Sequence, residues 1–178
     1  MKPASTPRGN VSIRVATERD LQSMVELKHK LDKHHEIPGL WPPEGGRRRI
    51  FARYRQMLRQ PTARLFVAER SPCSIVGYLT VTILTRTCPD RDFRRIGMIA
   101  EAFVEREDRR QGVGTALVEA AVRFLSGRRI KHVTLRNAIR NRLANEFWES
   151  LSFKPVLYTR TSTLKRLRRA IQRTKLLA

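Results

Sequence analysis

The chain has too few cysteines for a disulfide framework and no apolar stretch long enough to cross a membrane. Its two cysteines, Cys73 and Cys88, are too few to stabilise a domain of 178 residues through disulfides, and their spacing is not that of metal ligands. We therefore expect free thiols in a reducing compartment, the cytoplasm, and no metal site. No apolar run approaches the roughly 18 residues of a membrane span. A secretory signal would have an apolar run after its first residues, and this sequence has no such run there. Residues 1–10 are therefore expected to be a flexible leader.

Acidic residues are scarce as well. The sequence has 16 aspartates and glutamates against 37 lysines and arginines, a formal net charge of +21. Such a charge favours contact with polyanions such as nucleic acid, anionic lipid or a phosphorylated ligand. Arginine carries most of the excess, and its planar guanidinium suits phosphate, although a codon bias towards arginine would give the same composition. Charge alone therefore does not choose a partner.

The order of helical and strand patterns indicates one mixed α/β domain. A hydrophobic fraction of 40% in 178 residues supports a single core. Thr17 and Asp20 form a helix-start pattern ahead of apolar residues at helical spacing, and Ser71-Pro72 separates two β-rich runs as in an antiparallel hairpin. The pattern predicts strands near residues 12–16, 65–68, 75–84, 96–104, 130–137 and 156–160, and helices near 21–33, 44–59, 113–125 and 141–151.

Residues 164–178 have the pattern of a basic amphipathic tail. Leu164, Leu167, Ile171 and Ala178 share one helical face, and the rest of the segment is basic without an acid. The segment is predicted to be a helix, or to stay disordered until it meets a partner. Contact with a polyanion, a membrane or a partner subunit remains open, and so does a purely solubilising role.

One short motif carries chemical information. A buried strand ends at Val104, a charged bend follows, and the run from Arg109 to Gly114 opens a helix. A helix start leaves N–H groups unpaired and carries positive partial charge, and glycines let an anion approach those groups. The spacing is neither that of a Walker loop nor that of a dinucleotide-binding fold. By itself the Gly-x-Gly pattern fits a phosphate site and close helix packing equally well.

The context of this motif resembles the GNAT acetyltransferase superfamily. The signature of the superfamily is Gln/Arg-x-x-Gly-x-Gly/Ala after a strand, and Arg109, Gly112 and Gly114 match it. The segment from Ile13 to Leu21 is similar to the opening strand and capped first helix of the family, and the segment from Asn141 to Phe153 to its late helix and final strand. The resemblance covers residues 11–163. It implies a mixed sheet of about six to seven strands with a splayed central pair, and about four helices before the basic helical extension.

The resemblance also implies acetyl-CoA as the cofactor. Its pantetheine arm would add like a strand beside Phe103 and Val104, the amides from Arg110 to Thr115 would hold the pyrophosphate, and Arg109 would act as a further electrostatic contact. Asn141 would touch the pantetheine or the opposed strand, although a helix N-cap explains an asparagine there nearly as well. The implied contact residues are Phe103, Val104, Arg109, Arg110, Gln111, Gly112, Val113, Gly114, Thr115 and Asn141.

The implied reaction moves an acetyl group to a primary amine by direct attack in a ternary complex. Such a transfer needs a neutral amine and a donor for the developing negative charge on oxygen. The N–H near Val104 is the expected donor. Glu101, on the strand face shared with Phe103 and Glu105, is the first choice to accept the amine proton, directly or through water, with Glu105 as a second catalytic carboxylate. A structural ion pair between Glu101 and an arginine is the alternative.

The acceptor pocket is implied around His34, His35 and Trp41, in the loop between the first two helices, and around Trp148. The histidines fit a solvated helix end as well. Trp148 stands where the family commonly has a tyrosine that protonates the departing thiolate, and indole cannot be that acid. Ser152 replaces the glycine that follows in the family pattern. We expect slower chemistry or a different acid.

A second function class remains open from the sequence. A catalytically weak domain of the same fold could bind acyl-CoA and associate with nucleic acid, the ribosome or another polyanion through its basic surface and tail. The resembled family often forms dimers, which leaves a homodimer open. The amine acceptor itself, whether a small molecule or a peptide, is not specified by these residues.

Overall fold

The computed structural model describes residues 11–34, 46–72, 74–85, 95–157 and 162–176. The described residues fall into two compact units, one from Val11 to Arg136 and one from Asn137 onward. The first unit holds eight elements and the second holds two. The elements are β1 Ser12–Val15, α1 Leu21–His34, α2 Arg47–Arg59, β2 Ala63–Ser71, β3 Ser74–Thr85, β4 Arg95–Val104, α3 Val113–Ser126, β5 Val133–Leu135, α4 Arg142–Ser150 and α5 Leu164–Leu176.

The five strands form one mixed sheet in the order β1-β2-β3-β4-β5. The first three pairs are antiparallel, which confirms the predicted hairpin of β2 and β3, and β4 pairs with β5 in parallel. The predicted α/β class is confirmed, and the described helices agree with four plus a C-terminal extension. The described residues contain five strands, fewer than the six to seven expected. Of the expected last strand, Val156 and Leu157 lie outside any strand and are 81% and 85% exposed, so they bury no apolar face; residues 158–160 lie outside the described part.

Arg14 connects the start of the sheet to the start of α1. Its guanidinium donates to Asp20 at 2.7 and 2.8 Å and to Glu69 on β2 at 2.8 and 3.0 Å. Asp20 also accepts from the N–H of Thr17 at 2.7 Å, which confirms the predicted helix-start pattern. The hydrogen bonds from Arg14 hold the pKa of the Asp20 carboxyl below its usual value. Charge-assisted bonds of this kind are roughly twice as strong as neutral ones.

The two faces of the sheet bury different helices. Leu21, Met24 and Ile50 from α1 and α2 pack with Leu65 and Val67 of β2 in one hydrophobic cluster. Side chains alternate between the faces of a strand, and a groove of about 350 Å³ has Phe66 of β2 and Ala120 and Phe124 of α3 in its wall. The helix α3 therefore covers the opposite face, with eight of its residues buried.

The helices α3 and α4 end in the same hydrogen-bond pattern. Ile130 N–H donates to Leu125 O at 3.1 Å and Phe153 N–H to Trp148 O at 3.0 Å, the six-to-one bond of a Schellman motif. The residue before each donor is left-handed, with φ of 57° at Arg129 and 65° at Ser152. The helix α3 ends at Ser126 with Gly127 as its C-cap, as the sequence predicts, but Gly127 keeps a helical φ of −60° and Arg129 takes the left-handed position. Ser152 occupies a conformation that favours glycine, where the family pattern has one.

The predicted basic tail contains the helix α5. Leu164, Leu167 and Ile171 are 72%, 47% and 47% exposed on it. Within the described ranges, no helix combines the length and the apolar character that crossing a bilayer would require.

Candidate active site

The strand β4 carries the predicted catalytic residues Glu101 and Val104, and the third, Glu105, directly follows it. Its register sets Glu101 opposite Thr80, Phe103 opposite Tyr78 and Val104 opposite Gly77. The register shifts between Thr80 and Val81, so Ala100 is an extra residue on β4. Such a bulge bends a strand and changes the direction of its side chains. Gly77 is required at its position, because a Cβ there would approach Phe103 O to 2.9 Å.

One edge of β4 is open over its second half. In the described part of the first unit, β5 pairs with β4 only from Gly97 to Ile99, and β4 continues to Val104. Glu105 N–H donates to Val76 O at 2.8 Å, which fixes the alternation of main-chain groups near the end of β4. Those of Phe103 then point to β3, and those of Ala102 and Val104 point to the open edge. The sequence analysis placed Val104 at this open edge but did not identify Ala102.

The start of α3 lies close behind β4 in sequence and presents main-chain donors. Gly112 is its N-cap, with a left-handed φ of 82° and no side-chain hydrogen bond to the helix. The first helical bond is from Ala116 N–H to Gly112 O at 2.9 Å. The N–H groups of Val113, Gly114 and Thr115 belong to the first turn, where an α-helix offers no acceptor of its own. This turn therefore carries three donors and positive partial charge.

Arg109 joins the start of this loop to the end of β4. Its Nε donates to Val104 O at 2.8 Å, and its guanidinium carbon lies 5.6 Å from the centroid of the Phe103 ring. Arg110 follows with a left-handed φ of 62°, a conformation that costs a non-glycine residue roughly 1–2 kcal/mol. Gln111 Nε2 donates back to Glu107 O at 2.7 Å. The predicted residues from Glu101 to Thr115 thus lie on one continuous stretch formed by β4, the bend and the start of α3.

Glu101 is held by three donors that the sequence did not identify. Arg53 on α2 forms an ion pair with its Oε1, and the hydroxyls of Tyr54 and Tyr78 lie 2.5 and 3.3 Å from Oε2. The Glu101 side chain is only 9% exposed. The arginine partner that sequence analysis kept as the alternative for Glu101 is therefore present. The four-residue spacing from Ile50 could have placed Tyr54 on the inner face of α2, but its contact with Glu101 depends on how α2 packs on the sheet.

The two tyrosines are neutral hydrogen-bond donors at physiological pH. Both are fully buried, and burial together with the negative charge of Glu101 raises the pKa of each hydroxyl well above its usual value. Their rings meet edge to face with centroids 6.1 Å apart. Glu101 thus lies at the polar end of an aromatic pair, where a buried carboxylate needs hydrogen-bond donors.

Two further carboxylates near the bend have cationic partners. The Glu105 carboxylate forms an ion pair with Lys30 on α1. Asp108 is buried, its Oδ1 is paired with Arg70, and its Oδ2 has no hydrogen-bond donor among the described residues. The hydrogen bond to Asp108 raises the pKa of the Arg70 guanidinium. These pairs hold the bend between β4 and α3 against α1 and β2.

Of the four residues predicted for the acceptor pocket, the structure describes His34 and Trp148. His34 is the last residue of α1, and His35 and Trp41 lie outside the described residues. In the second unit, Trp148 is buried against the rings of Phe147 and Phe153, with centroids 4.8 and 5.4 Å away. Asn141 accepts from Ala144 N–H at 3.1 Å, which confirms the N-cap alternative. Its contact with a cofactor stays a prediction.

The sheet with its open β4 edge and the glycine-capped start of α3 agree with the family that the sequence matches. The sequence model of the acetyltransferase (GNAT) family matches residues 28–153. The chain therefore belongs to this family, as the resemblance of its motifs predicted. A comparison with curated protein sequences found no significant match.

Solved structures agree with this fold. A tetramutant of the BH1408 protein from Bacillus halodurans has a TM-score of 0.73 at 19% identity, over 86% of this chain and 99% of that one. A predicted acetyltransferase from Clostridium acetobutylicum, solved with acetyl-CoA, has 0.70 at 16%, over 88% and 97%. The aminoglycoside acetyltransferase meta-AAC0020, from an uncultured soil metagenomic sample and in complex with sisomicin, has 0.64 at 21%, over 87% and 97%.

Proposed function

We propose that this protein transfers an acetyl group from acetyl-CoA to a primary amine by direct attack in a ternary complex. The observation that carries the proposal is the start of α3, where a left-handed Gly112 precedes three first-turn N–H groups. The open edge of β4 supports it, because Ala102 and Val104 direct main-chain groups to that edge. Membership of the GNAT family gives these two features a common ligand.

The residues present fit the cofactor. The first-turn N–H groups from Val113 to Thr115, with those of Arg110, Gln111 and Gly112, would hold the pyrophosphate, since such donors suit an anion. The edge of β4 at Ala102 and Val104, beside Phe103, would hold the pantetheine arm as an added strand. Arg109 adds positive charge while it anchors the loop to Val104. Asn141 is proposed as a further contact. Bound acetyl-CoA would supply the thioester that carries the acetyl group.

Within this proposal, Glu101 and Val104 perform the chemistry. The Val104 N–H donates to the carbonyl oxygen under attack, and a preorganised main-chain donor of this kind is worth several kcal/mol, about 3 in measured cases. Glu101 accepts the amine proton, directly or through water. As the carbon–nitrogen bond forms, the carbon–sulfur bond of the thioester would break, and the departing thiolate would take its proton from water, since Trp148 cannot supply one. To do so its carboxylate must exchange one of its present partners, Arg53 or Tyr54, for the incoming amine. Glu105, paired with Lys30, is the second carboxylate near the same end of β4.

The acceptor is proposed to be an amine held near residues His34, His35, Trp41 and Trp148. The aminoglycoside acetyltransferase with a similar fold is a precedent for a small-molecule amine. Free polycationic amines are repelled at long range by a net charge of +21. An acceptor of lower positive charge, such as a peptide amine, is therefore favoured for this chain.

A thiol-release assay over an amine panel tests the proposal. Purified protein is given acetyl-CoA with single amines that include aminoglycosides, polyamines, amino acids and peptides, and free thiol is measured with a chromogenic disulfide. We expect amine-dependent thiol release together with an acetylated product in the mass spectrum. Acetyl-CoA binding without turnover on any amine would contradict the transferase function, and absence of binding would contradict the site itself.

A further inference from the structure

The outward face of α2 carries a row of arginines. Arg48, Arg55 and Arg59, which we name the α2 arginine row, lie at positions i, i+7 and i+11 and therefore on one side of the helix. Arg48 is exposed, and the side chains of Arg55 and Arg59 are 52% and 69% exposed. The opposite side of α2 is buried in the core through Ile50 and Tyr54.

The arginines of α2 occupy positions that disfavour the helix. Arg47, Arg48 and Arg49 fill its first turn, where the helix dipole is already positive, and Gly46 provides no side-chain cap. Arg55 and Arg59 are like charges four residues apart, an arrangement that destabilises a helix. Both share one carboxylate oxygen of the exposed Glu18, at 3.3 and 3.7 Å. The helix has no acid of its own, so an external anion would relieve this repulsion.

We propose that the α2 arginine row is a docking surface for the phosphate backbone of a nucleic acid. The row spans about 16 Å at 1.5 Å per residue, which matches roughly five phosphates of one strand at 3.4 Å each. Guanidinium groups bind phosphate in a planar, two-point manner. Between Arg48 and Arg59, the exposed residues other than Arg55 are Arg49, Ala52 and Gln56. The half-buried Phe51 packs against the core, so the face has no exposed large apolar side chain to insert into a membrane.

This surface is separate from the tail and does not depend on acetyl transfer. The tail helix α5 exposes Leu164, Leu167 and Ile171 beside its basic residues, which is the composition of a membrane-binding or partner-binding helix. In α2 the apolar side is already used by the core. The α2 arginine row can therefore bind a polyanion through charge, and its outer face has no apolar surface for a membrane or a hydrophobic partner.

The test compares two triple variants that remove equal charge. Fluorescence anisotropy with a labelled single-stranded 20-mer, as RNA and as DNA of the same sequence, is measured from 50 to 200 mM salt. In the row variant Arg48→Gln, Arg55→Gln and Arg59→Gln are combined, and the control variant combines Arg166→Gln, Arg168→Gln and Arg169→Gln on α5. We expect the row variant to bind about tenfold more weakly. The salt slope, which is the slope of the logarithm of the binding constant against the logarithm of the salt concentration, should fall in magnitude by about 2 units, at 0.7 per phosphate contact. The control should lose less than one unit.

The outcomes separate the alternatives. Equal losses in both variants, or a loss in the control alone, would overturn the proposal in favour of diffuse charge or the tail. Stronger binding to vesicles of phosphatidylglycerol and phosphatidylcholine than to the oligonucleotides would overturn it in favour of a membrane. Equal binding of RNA and DNA supports backbone contact alone, and tighter binding of RNA supports an added contact to the 2′-hydroxyl. Calorimetry with acetyl-CoA should be unchanged in the row variant, and its Tm should be equal or higher, because like-charge repulsion on α2 is removed. If the triple variant does not fold, Arg48→Gln alone should lower the salt slope by about 0.7 units, a third of the loss expected for the row.

Discussion

The Glu101 carboxylate accepts hydrogen bonds from three donors at once, and these donors limit the access of a substrate to it. Arg53, Tyr54 and Tyr78 all donate to it, so an incoming amine must displace one of these donors to reach the carboxylate. The residue and its position on β4 could be predicted from the sequence. Its partners on α2 could not, because Arg53 and Tyr54 lie 48 and 47 positions away along the chain.

Replacing Glu101 tests its proposed role. We expect Glu101→Gln to lower kcat about 100-fold on whichever amine the panel identifies, since a positioned general base contributes roughly 10²- to 10⁴-fold. Acetyl-CoA affinity by calorimetry should change by less than about twofold, because Glu101 is not proposed to touch the cofactor.

A matched control for this variant is Glu69→Gln. Glu69 is also a carboxylate bound to an arginine, Arg14, but it lies on β2 away from the proposed chemistry. It should lower thermal stability and leave kcat unchanged. Equal rates for Glu101→Gln and the wild type would refute the proton-acceptor role and leave Glu101 as a structural ion-pair partner.

Asp20 links protonation to stability. Its hydrogen bonds from Arg14 and Thr17 hold the pKa of its carboxyl below the unfolded value of about 3.9. A group with a lowered folded pKa contributes stability that is present above the unfolded pKa and is lost as the pH falls through the folded pKa. Asp20→Asn should therefore lower the free energy of unfolding by about 2 kcal/mol at pH 7, and the difference from the wild type should shrink below about pH 4.

Urea unfolding at pH 7, 5, 4 and 3 measures this difference. Glu18→Gln is the control, because Glu18 is exposed at the same helix start and its contacts with Arg55 and Arg59 are long. Exposed pairs contribute at most about 1 kcal/mol, so little change is expected at any pH. A difference for Asp20→Asn that stays constant down to pH 3 would show that the charge of Asp20 does not stabilise the fold.

At the level of elements, the loop from Arg109 to Gly112 decides where the donors of α3 point. Gly112 is left-handed, with φ of 82°, and Arg109 ties the loop to Val104. The glycine spacing predicted this helix start correctly. The left-handed Arg110 was not predictable, because arginine has no preference for that conformation and the surrounding bonds impose it.

A glycine pair in α3 tests the loop. Gly112→Ala places a Cβ on a left-handed residue, at a cost of roughly 1–2 kcal/mol, and should turn the first-turn donors away from their present direction. We expect at least tenfold weaker acetyl-CoA binding by calorimetry. Gly127→Ala, at φ of −60° and with its nearest atom 3.5 Å from the added Cβ, should bind as the wild type does. Equal affinities for both variants would refute a role for the α3 start.

The elements differ in how far the sequence determines them. The hairpin of β2 and β3 and the helix α3 have strong local patterns, and the structure has both. The segment near residues 130–137 was expected to be a longer strand, but β5 spans only Val133–Leu135. A strand at the sheet edge ends where its partner diverges, and that point depends on tertiary packing rather than on alternation. The same applies to Val156 and Leu157, because their alternation does not indicate which strand they would pair with.

On the scale of the whole molecule, 37 basic residues against 16 acidic ones create self-repulsion. Salt screens charges over about 10 Å at 0.1 M. Thermal unfolding between 20 and 500 mM sodium chloride should therefore show a Tm that rises with salt, because repulsion among exposed arginines exceeds the attraction in the exposed ion pairs. A Tm that falls with salt would show that attractive pairs such as Arg14–Asp20 dominate the charge energy.

The most direct test of the account follows individual main-chain amides while acetyl-CoA is added. In nitrogen–proton correlation spectra, we predict that the amides of Val104, Gly112, Val113, Gly114 and Thr115 shift together at one stoichiometric equivalent and become protected from hydrogen exchange. These amides are the ones at the β4 edge and at the α3 start. Binding that leaves all five unshifted, or shifts confined to other residues, would contradict the central claim.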